Sequence, residues 1–165
     1  MSKLNINDIA RIISQDLLAI VRRNFEVEGR PKWQPLSPAY KRHRYKKGYT
    51  GNILTVSGQL LKSIVAQTDN NIAIVSTNKV YAPIHNFGGT INMPARSNLY
   101  TQNRIKRGKN KGKFTKGTTY GKGATIKAHK IVIPKREFMN IPDNELSKLL
   151  KKVKTLVANN IDFAK

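Results

Sequence analysis

The chain has 165 residues, enough for one compact domain with a substantial hydrophobic core and too few for two ordinary ones. Its 31 Lys and Arg stand against 9 Asp and Glu, a formal charge of +22, and cysteine is absent, which excludes disulfides, thiolate metal sites and cysteine nucleophiles. No run approaches the roughly 18 to 20 apolar residues of a spanning helix, and Asp8, Arg11 and Asp16 break the apolar start, so a soluble chain without a secretory leader is expected.

Residues 5–25 carry Ile6, Ile9, Ile13, Leu17, Ile20 and Val21 at helical spacing. Asn5 is placed to cap this helix, Asp8 suits the positive end of its dipole, and Gly29 with Pro31 ends it. Three prolines make residues 30–49 extended and turn-rich, because each biases the residue before it away from helix. Ser37 and Pro38 can still open a short helix through residues 40–45, serine as cap and proline in the first position. Residues 57–65 read as a short helix running toward a strand, and residues 72–76 as a second strand signal. Asp69, Asn70 and Asn71 form the turn between them. Residues 80–87 predict a helical turn ended by Gly88 and Gly89, after which residues 90–93 open another strand.

From residue 94 to 123 the hydrophobic period disappears and Lys and Gly accumulate, which predicts a long basic loop or hairpin tip. Residues 126–133 read as a strand pairing back with residues 90–93. The last element, residues 143–161, aligns Leu146, Leu149, Leu150, Val153, Leu156, Val157 and Ile161 on one face, opposite Lys148, Lys151, Lys152 and Lys154. Such a helix lines a core or a subunit interface more often than it lies on a membrane. The expected fold is α+β, a small mostly antiparallel sheet packed by N- and C-terminal amphipathic helices. Residues 1–165 form a single domain in this reading, with residues 94–125 as its basic loop or hairpin extension.

Between Gly29 and Arg136 the only acid is Asp69. A field so unbalanced needs a polyanion or a strongly acidic protein surface beside it, and nucleic acid is the default, since each neutralised phosphate releases condensed counterions. The alternative is a solvated basic face that aids solubility. Catalytic chemistry is not apparent. His43, His85 and His129 are far apart and form no ligand cluster, so neither a metal nor another cofactor is expected. His85 precedes the Gly88–Gly89 turn and has no carboxylate or nucleophile near it in sequence, so it is read as bonding neighbouring backbone rather than as a base. The glycines around Arg107 and Lys113 lack the spacing of a nucleotide fingerprint. Tyr40, Tyr45, Tyr49, Tyr100, Phe114 and Tyr120 alternate with basic residues, a composition suited to base stacking or to a subunit contact.

Three blocks carry a resemblance. Glu28-Gly29-Arg30-Pro31-Lys32-Trp33-Gln34-Pro35-Leu36-Ser37, with Ile53-Leu54 and then Ser57-Gly58-Gln59-Leu60-Leu61-Lys62-Ser63-Ile64, is the first. Tyr81-Ala82-Pro83-Ile84-His85-Asn86-Phe87-Gly88-Gly89-Thr90 is the second, and Ile133-Pro134-Lys135-Arg136-Glu137-Phe138-Met139 the third. In this order they resemble the Mu-like phage virion morphogenesis (tail completion or neck) family. Ser57 stands where that family usually has Thr, Lys135 and Glu137 replace Ala and Pro, and residues 94–125 are unusually long and basic.

The resemblance implies a non-enzymatic virion protein of α+β fold, a tail-completion or head–tail neck subunit made in the host cytoplasm. It would assemble as a homo-oligomeric ring, six subunits being one option, around a channel for double-stranded DNA. Its other partners would be neighbouring head–tail connector or tail proteins, and no membrane is implied. A ribosomal-type or other non-specific nucleic-acid-binding protein is the alternative, whereas a DNA-processing enzyme would need metal-binding carboxylates that the middle of the chain lacks. Trp33, Tyr81, His85, Gly88 and Gly89 are read as structural anchors, Trp33 as a buried one and the glycine pair as a positive-φ turn. Arg104, Lys106, Arg107, Lys109, Lys111, Lys113, Lys116 and Lys122 are read as sequence-blind contacts to DNA or to an acidic partner. Residues 96–122 cannot bury enough apolar area to offset the cost of ordering, so they are expected to order only on assembly.

Overall fold

The computed structural model describes residues 5–97, 100, 101, 108–111, 113, 119, 120 and 125–160. In chain order the elements are α1 (Ile6–Glu26), α2 (Pro38–Lys46), α3 (Gln59–Lys62), β1 (Ile64–Asp69), β2 (Ile72–Thr77) and α4 (Ala82–Phe87). They continue with β3 (Gly89–Met93), β4 (Arg96–Ser97), β5 (Tyr100–Thr101), β6 (Thr119–Tyr120), β7 (Thr125–Ile126), β8 (His129–Ile133) and α5 (Asp143–Asn160). The chain divides into two compact units, one of Met1–Gly89 with Pro134–Lys165 and one of Thr90–Ile133.

In the first unit, α1 opens with a reciprocal cap. Asp8 N–H donates to Asn5 Oδ1 at 2.8 Å while Asn5 N–H donates to Asp8 Oδ2 at 3.3 Å, satisfying two of the donors a helix start leaves unpaired. The helix buries Ile9, Leu18, Val21 and Phe25 and packs on the β1–β2 hairpin and on α5. The hairpin is antiparallel from Ile64↔Thr77 to Asp69↔Ile72. Its two turn residues, Asn70 and Asn71, have φ of 42° and 68°, as a tight turn matched to strand twist requires. Phe25 lies at the centre of the core, edge-on to Trp33 at 5.7 Å and tilted against Phe138 at 5.3 Å. Gly29 makes this possible. Its φ is +96°, and a Cβ there would collide with the Trp33 ring and the Pro31 carbonyl.

A polar network clamps the same region. Asn24, fully buried, donates to the carbonyls of Phe138 (2.9 Å) and Asn140 (2.7 Å) and accepts from Arg30 Nε (2.9 Å). Arg30 also reaches Glu145 Oε1 at 3.1 Å and the Ile20 carbonyl at 3.1 Å, tying α1, the chain after it and α5 together.

The helix expected at residues 57–65 is shorter, because Gly58 takes φ 66° and the β-branched Ile64 and Val65 already belong to β1. α4 begins after Tyr81, with Pro83 in its first turn, and ends at Gly88, whose φ of 74° and ψ of 174° turn the chain into β3. In the second unit β3 pairs with β8 as expected. The strand expected at 126–133 is divided, Thr125–Ile126 pairing with Arg96–Ser97 and His129–Ile133 with Gly89–Met93, while Thr119–Tyr120 pairs separately with Tyr100–Thr101. The fold is therefore α+β with N- and C-terminal helices, and among the described residues the strands form two-stranded ladders, antiparallel at β1–β2, β4–β7 and β5–β6. Among the described residues no helix is long and apolar enough to cross a membrane.

Candidate functional site

Of the eight basic residues singled out in sequence, Arg104, Lys106, Arg107, Lys116 and Lys122 lie outside the described residues, as does most of the segment expected to order on assembly. Lys109, Lys111 and Lys113 are described and exposed. They sit on a tight turn in which Gly108, at φ 85°, offers its carbonyl to Lys111 N–H at 3.0 Å and Asn110 offers its own to Lys113 N–H at 3.0 Å. Arg96 and Lys130 are exposed on the ladders of the same unit, and Lys127 between β7 and β8. That unit also presents Val132 to solvent at 72% exposure. A two-stranded ribbon with exposed apolar positions has little core of its own.

A second locus, in the first unit, was not apparent from the sequence. Tyr40 and Arg44 lie one turn apart on α2, and Tyr81 and His85 one turn apart at α4, each pair at the i, i+4 spacing that shares a helix face. With Arg136 they line a cavity of about 290 Å³ whose remaining wall is Leu36, Ile53, Leu54, Val56, Ser57 and Leu60. The Tyr81 and His85 rings meet edge to face at 6.0 Å. His85 holds its turn through its main chain, its carbonyl accepting from Arg136 N–H at 2.9 Å, while its buried Nδ1 has no partner. The expected side-chain bond to neighbouring backbone is thus absent at Nδ1. Gly88 and Gly89 follow after Asn86 and Phe87, with the Gly89 Cα side against the Ile84 side chain.

The two arginines are the unusual feature. Arg44 is 6% exposed and Arg136 7% exposed. Arg44 Nη2 donates to the carbonyls of Gly51 (2.8 Å) and Asn52 (3.3 Å), and Arg136 Nη2 to that of Gln34 (3.2 Å). Both Nε atoms are buried without a partner. Among the described residues neither guanidinium has a carboxylate within ion-pair distance. Glu28, on the wall of an adjoining cavity that Arg44 also lines, accepts from Ile53 N–H at 2.9 Å instead. Burial holds the Arg136 pKa below its ordinary value, opposed by Tyr40. Burial and then the Arg136 charge lower that of His85.

Trp33, 8% exposed, has an unpartnered indole N–H, and its ring is held by Gly29 and Phe25. The first and third blocks of the resemblance thus meet in the aromatic core, and the second and third meet at the arginine-lined cavity. No group of three or more His, Asp or Glu able to hold a metal occurs among the described residues.

Comparison with known proteins gives the same direction. The chain is 40% identical over 81 residues to Mu-like prophage FluMu G protein 2 of Haemophilus influenzae, covering 49% of this chain and 51% of that protein. It is 32% identical over 93 residues to the putative capsid assembly protein G of Escherichia phage Mu, covering 53% and 60%. FluMu G protein 1 of Haemophilus influenzae is 34% identical over 94 residues, covering 54% and 64%. These matches thus span between half and two thirds of the relatives' lengths, and no solved structure matches. Because the profile of the phage virion morphogenesis family matches residues 2–158, nearly the whole chain, the chain belongs to that family.

Proposed function

We propose that this chain is a non-enzymatic structural subunit that completes the neck or tail of a phage particle, assembling as a ring around the channel through which double-stranded DNA passes. Membership of a virion morphogenesis family is the observation that carries this reading, and the relative named for capsid assembly fits a place where head and tail join. The charge supports it. A protein of net +22 with exposed Lys109, Lys111 and Lys113 on one turn suits a conduit that must accept any genome sequence, since phosphate contacts carry no sequence information. A ring would repeat that turn once per subunit and raise the channel potential without adding specificity. The exposed apolar positions of the ribbon, Val132 above all, give subunits a surface to bury against one another or against a neighbour.

The test is to replace Arg104, Lys106, Arg107, Lys109, Lys111, Lys113, Lys116 and Lys122 together by Ser. Duplex DNA affinity across a salt series and particle completion in a phage lacking the gene are then measured. Weaker binding with a shallower salt dependence, together with loss of DNA-filled, tailed particles, is the expected result. An unchanged salt slope with failed completion assigns the segment to an acidic protein partner, and no effect on either refutes the proposal.

A further inference from the structure

Two buried guanidiniums that share one cavity, each bonded only to neutral carbonyls, leave a positive charge in a place where charge is costly. Removing one member of a buried ion pair destabilises a fold strongly because the remaining charge is uncompensated, and the cavity around Arg44 and Arg136 has that half-made character. The carbonyl bonds to Gly51, Asn52 and Gln34 explain where each Nη2 goes. They do not neutralise the charge, and they leave both Nε–H groups without acceptors. A purely structural crosslink to carbonyls could be made by a neutral amide. The use of two arginines, more than nine-tenths buried and open to the same cavity, points to an anion.

The shape narrows the choice. The walls formed by Leu36, Ile53, Leu54 and Leu60 are aliphatic, and the volume of about 290 Å³ is on the scale of side chains. A duplex presents its phosphates on a convex, fully hydrated rod, which suits exposed lysines and not a recessed apolar cavity. A glutamate or aspartate on a peptide offers an aliphatic stem for the leucines and a planar carboxylate for the guanidinium forks. Tyr40 and Tyr81, both half-exposed, stand at the wall as rigid amphipathic rings of the kind enriched at protein contacts.

We propose that this cavity is a docking site for an acidic segment of a partner protein, with one carboxylate held between Arg44 and Arg136 and its apolar flank against Leu36, Ile53 and Leu60. The assignment of the carboxylate to a neighbouring protein rests on the assembly role proposed above. The two fail separately, because particle completion reads one and the signals of the two arginines read the other.

The test uses the full chain labelled with ¹⁵N and follows the Nε–Hε resonances of Arg44 and Arg136 during titration. The probes are acetyl-Leu-Glu-Leu-amide, its counterpart with Gln in place of Glu, and a short duplex DNA. The glutamate peptide should move both resonances saturably, and the glutamine peptide should bind at least about tenfold more weakly. His85, which meets Tyr81 and lies beside Arg136 in the cavity that Arg44 and Tyr40 also line, should titrate at higher pH once the carboxylate is in place, because the new negative charge offsets Arg136. Arg136→Gln should abolish the response, and should that variant not fold, the contrast between the two peptides on the unaltered chain still decides. Equal binding of the two peptides, no movement of either resonance, or a stronger response to DNA than to the glutamate peptide at matched charge overturns the proposal.

Discussion

Replacing Asn24 by Ala removes three hydrogen bonds at a position that solvent does not reach. The carboxamide donates to the carbonyls of Phe138 and Asn140 at 2.9 and 2.7 Å, and its oxygen accepts from Arg30 Nε at 2.9 Å. Truncation leaves two acceptors and one charged donor short of a partner, and each such group costs about 1–3 kcal/mol when left buried. Taking the lower end for each, because relaxation and a water molecule recover part of the loss, gives about 3 kcal/mol. For a chain of this size that corresponds to a fall in Tm of roughly 6–12 °C. Thermal unfolding followed by far-ultraviolet circular dichroism measures it. Asn24→Asp separates the contributions, because it keeps an acceptor for Arg30 while opposing two carbonyls with oxygens, so its Tm should also fall. A loss for Asn24→Ala below about 2 °C would mean that less than 1 kcal/mol is at stake, and that the amide is not what ties Phe138 and Asn140 to α1.

Gly29→Ala and Trp33→Ala should each lower the urea midpoint, Trp33→Ala by about 3–5 kcal/mol in stability. The double variant should lose less than the sum because the collision with the indole is gone, whereas additive losses would refute the coupling. His85 has its pKa lowered in the fold from the ordinary 6.5, so the unfolded chain binds the extra proton first. Its contribution to stability is complete above pH 6.5 and declines as pH falls below it. His85→Gln should flatten that slope in a series of melts, and an unchanged slope would mean the ring is not desolvated. The net +22 predicts that adding sodium chloride raises Tm by screening self-repulsion, and a Tm that falls with salt would show that attractive pairs dominate instead.

Features set by neighbours in sequence could be read directly. Asn5 with Asp8, Ser37 with Pro38, and Asn70 with Asn71 each specify a local backbone geometry through one or two side chains. The structure has the α1 cap, the α2 cap and the hairpin turn at those residues. The short helix before β1 was overestimated because helical periodicity cannot be judged over one turn, and the φ of Gly58 decides where it starts. The strand near residue 130 divides because β7 pairs with β4 and β8 with β3, a matter of register that composition does not contain. The cavity was invisible for a different reason. Arg44 and Arg136 stand 92 positions apart inside two basic runs, so each looked like one more member of a solvated charge field. The signal was available only at Arg44, which shares a face of α2 with Tyr40.

With 31 Lys and Arg against 9 Asp and Glu the positive charge cannot be matched within the chain, and five of the eight described carboxylates are already engaged elsewhere. Asp8 is engaged in the α1 cap and with Arg11, and Asp16 pairs with Lys152 across α1 and α5. Glu145 holds Arg30 and lies near Arg23 and Lys148, Glu137 pairs with Lys135, and Glu28 accepts from Ile53. Among the described residues no ion pair includes Lys109, Lys111, Lys113, Arg44 or Arg136. The two sets of unmatched cations differ in solvation, lysines exposed and arginines buried, so different anions would suit them. Hydrated lysines on an exposed turn gain most from many interchangeable phosphates, where counterion release supplies the driving force and exact geometry is unimportant. Desolvated arginines in an apolar cavity gain most from a single oriented carboxylate, because a fixed bidentate pair compensates the charge where water cannot. If both proposals hold, the chain would bind DNA loosely through the lysine turn and a neighbouring protein tightly through the arginine cavity, two contacts that differ in salt dependence and can be measured apart.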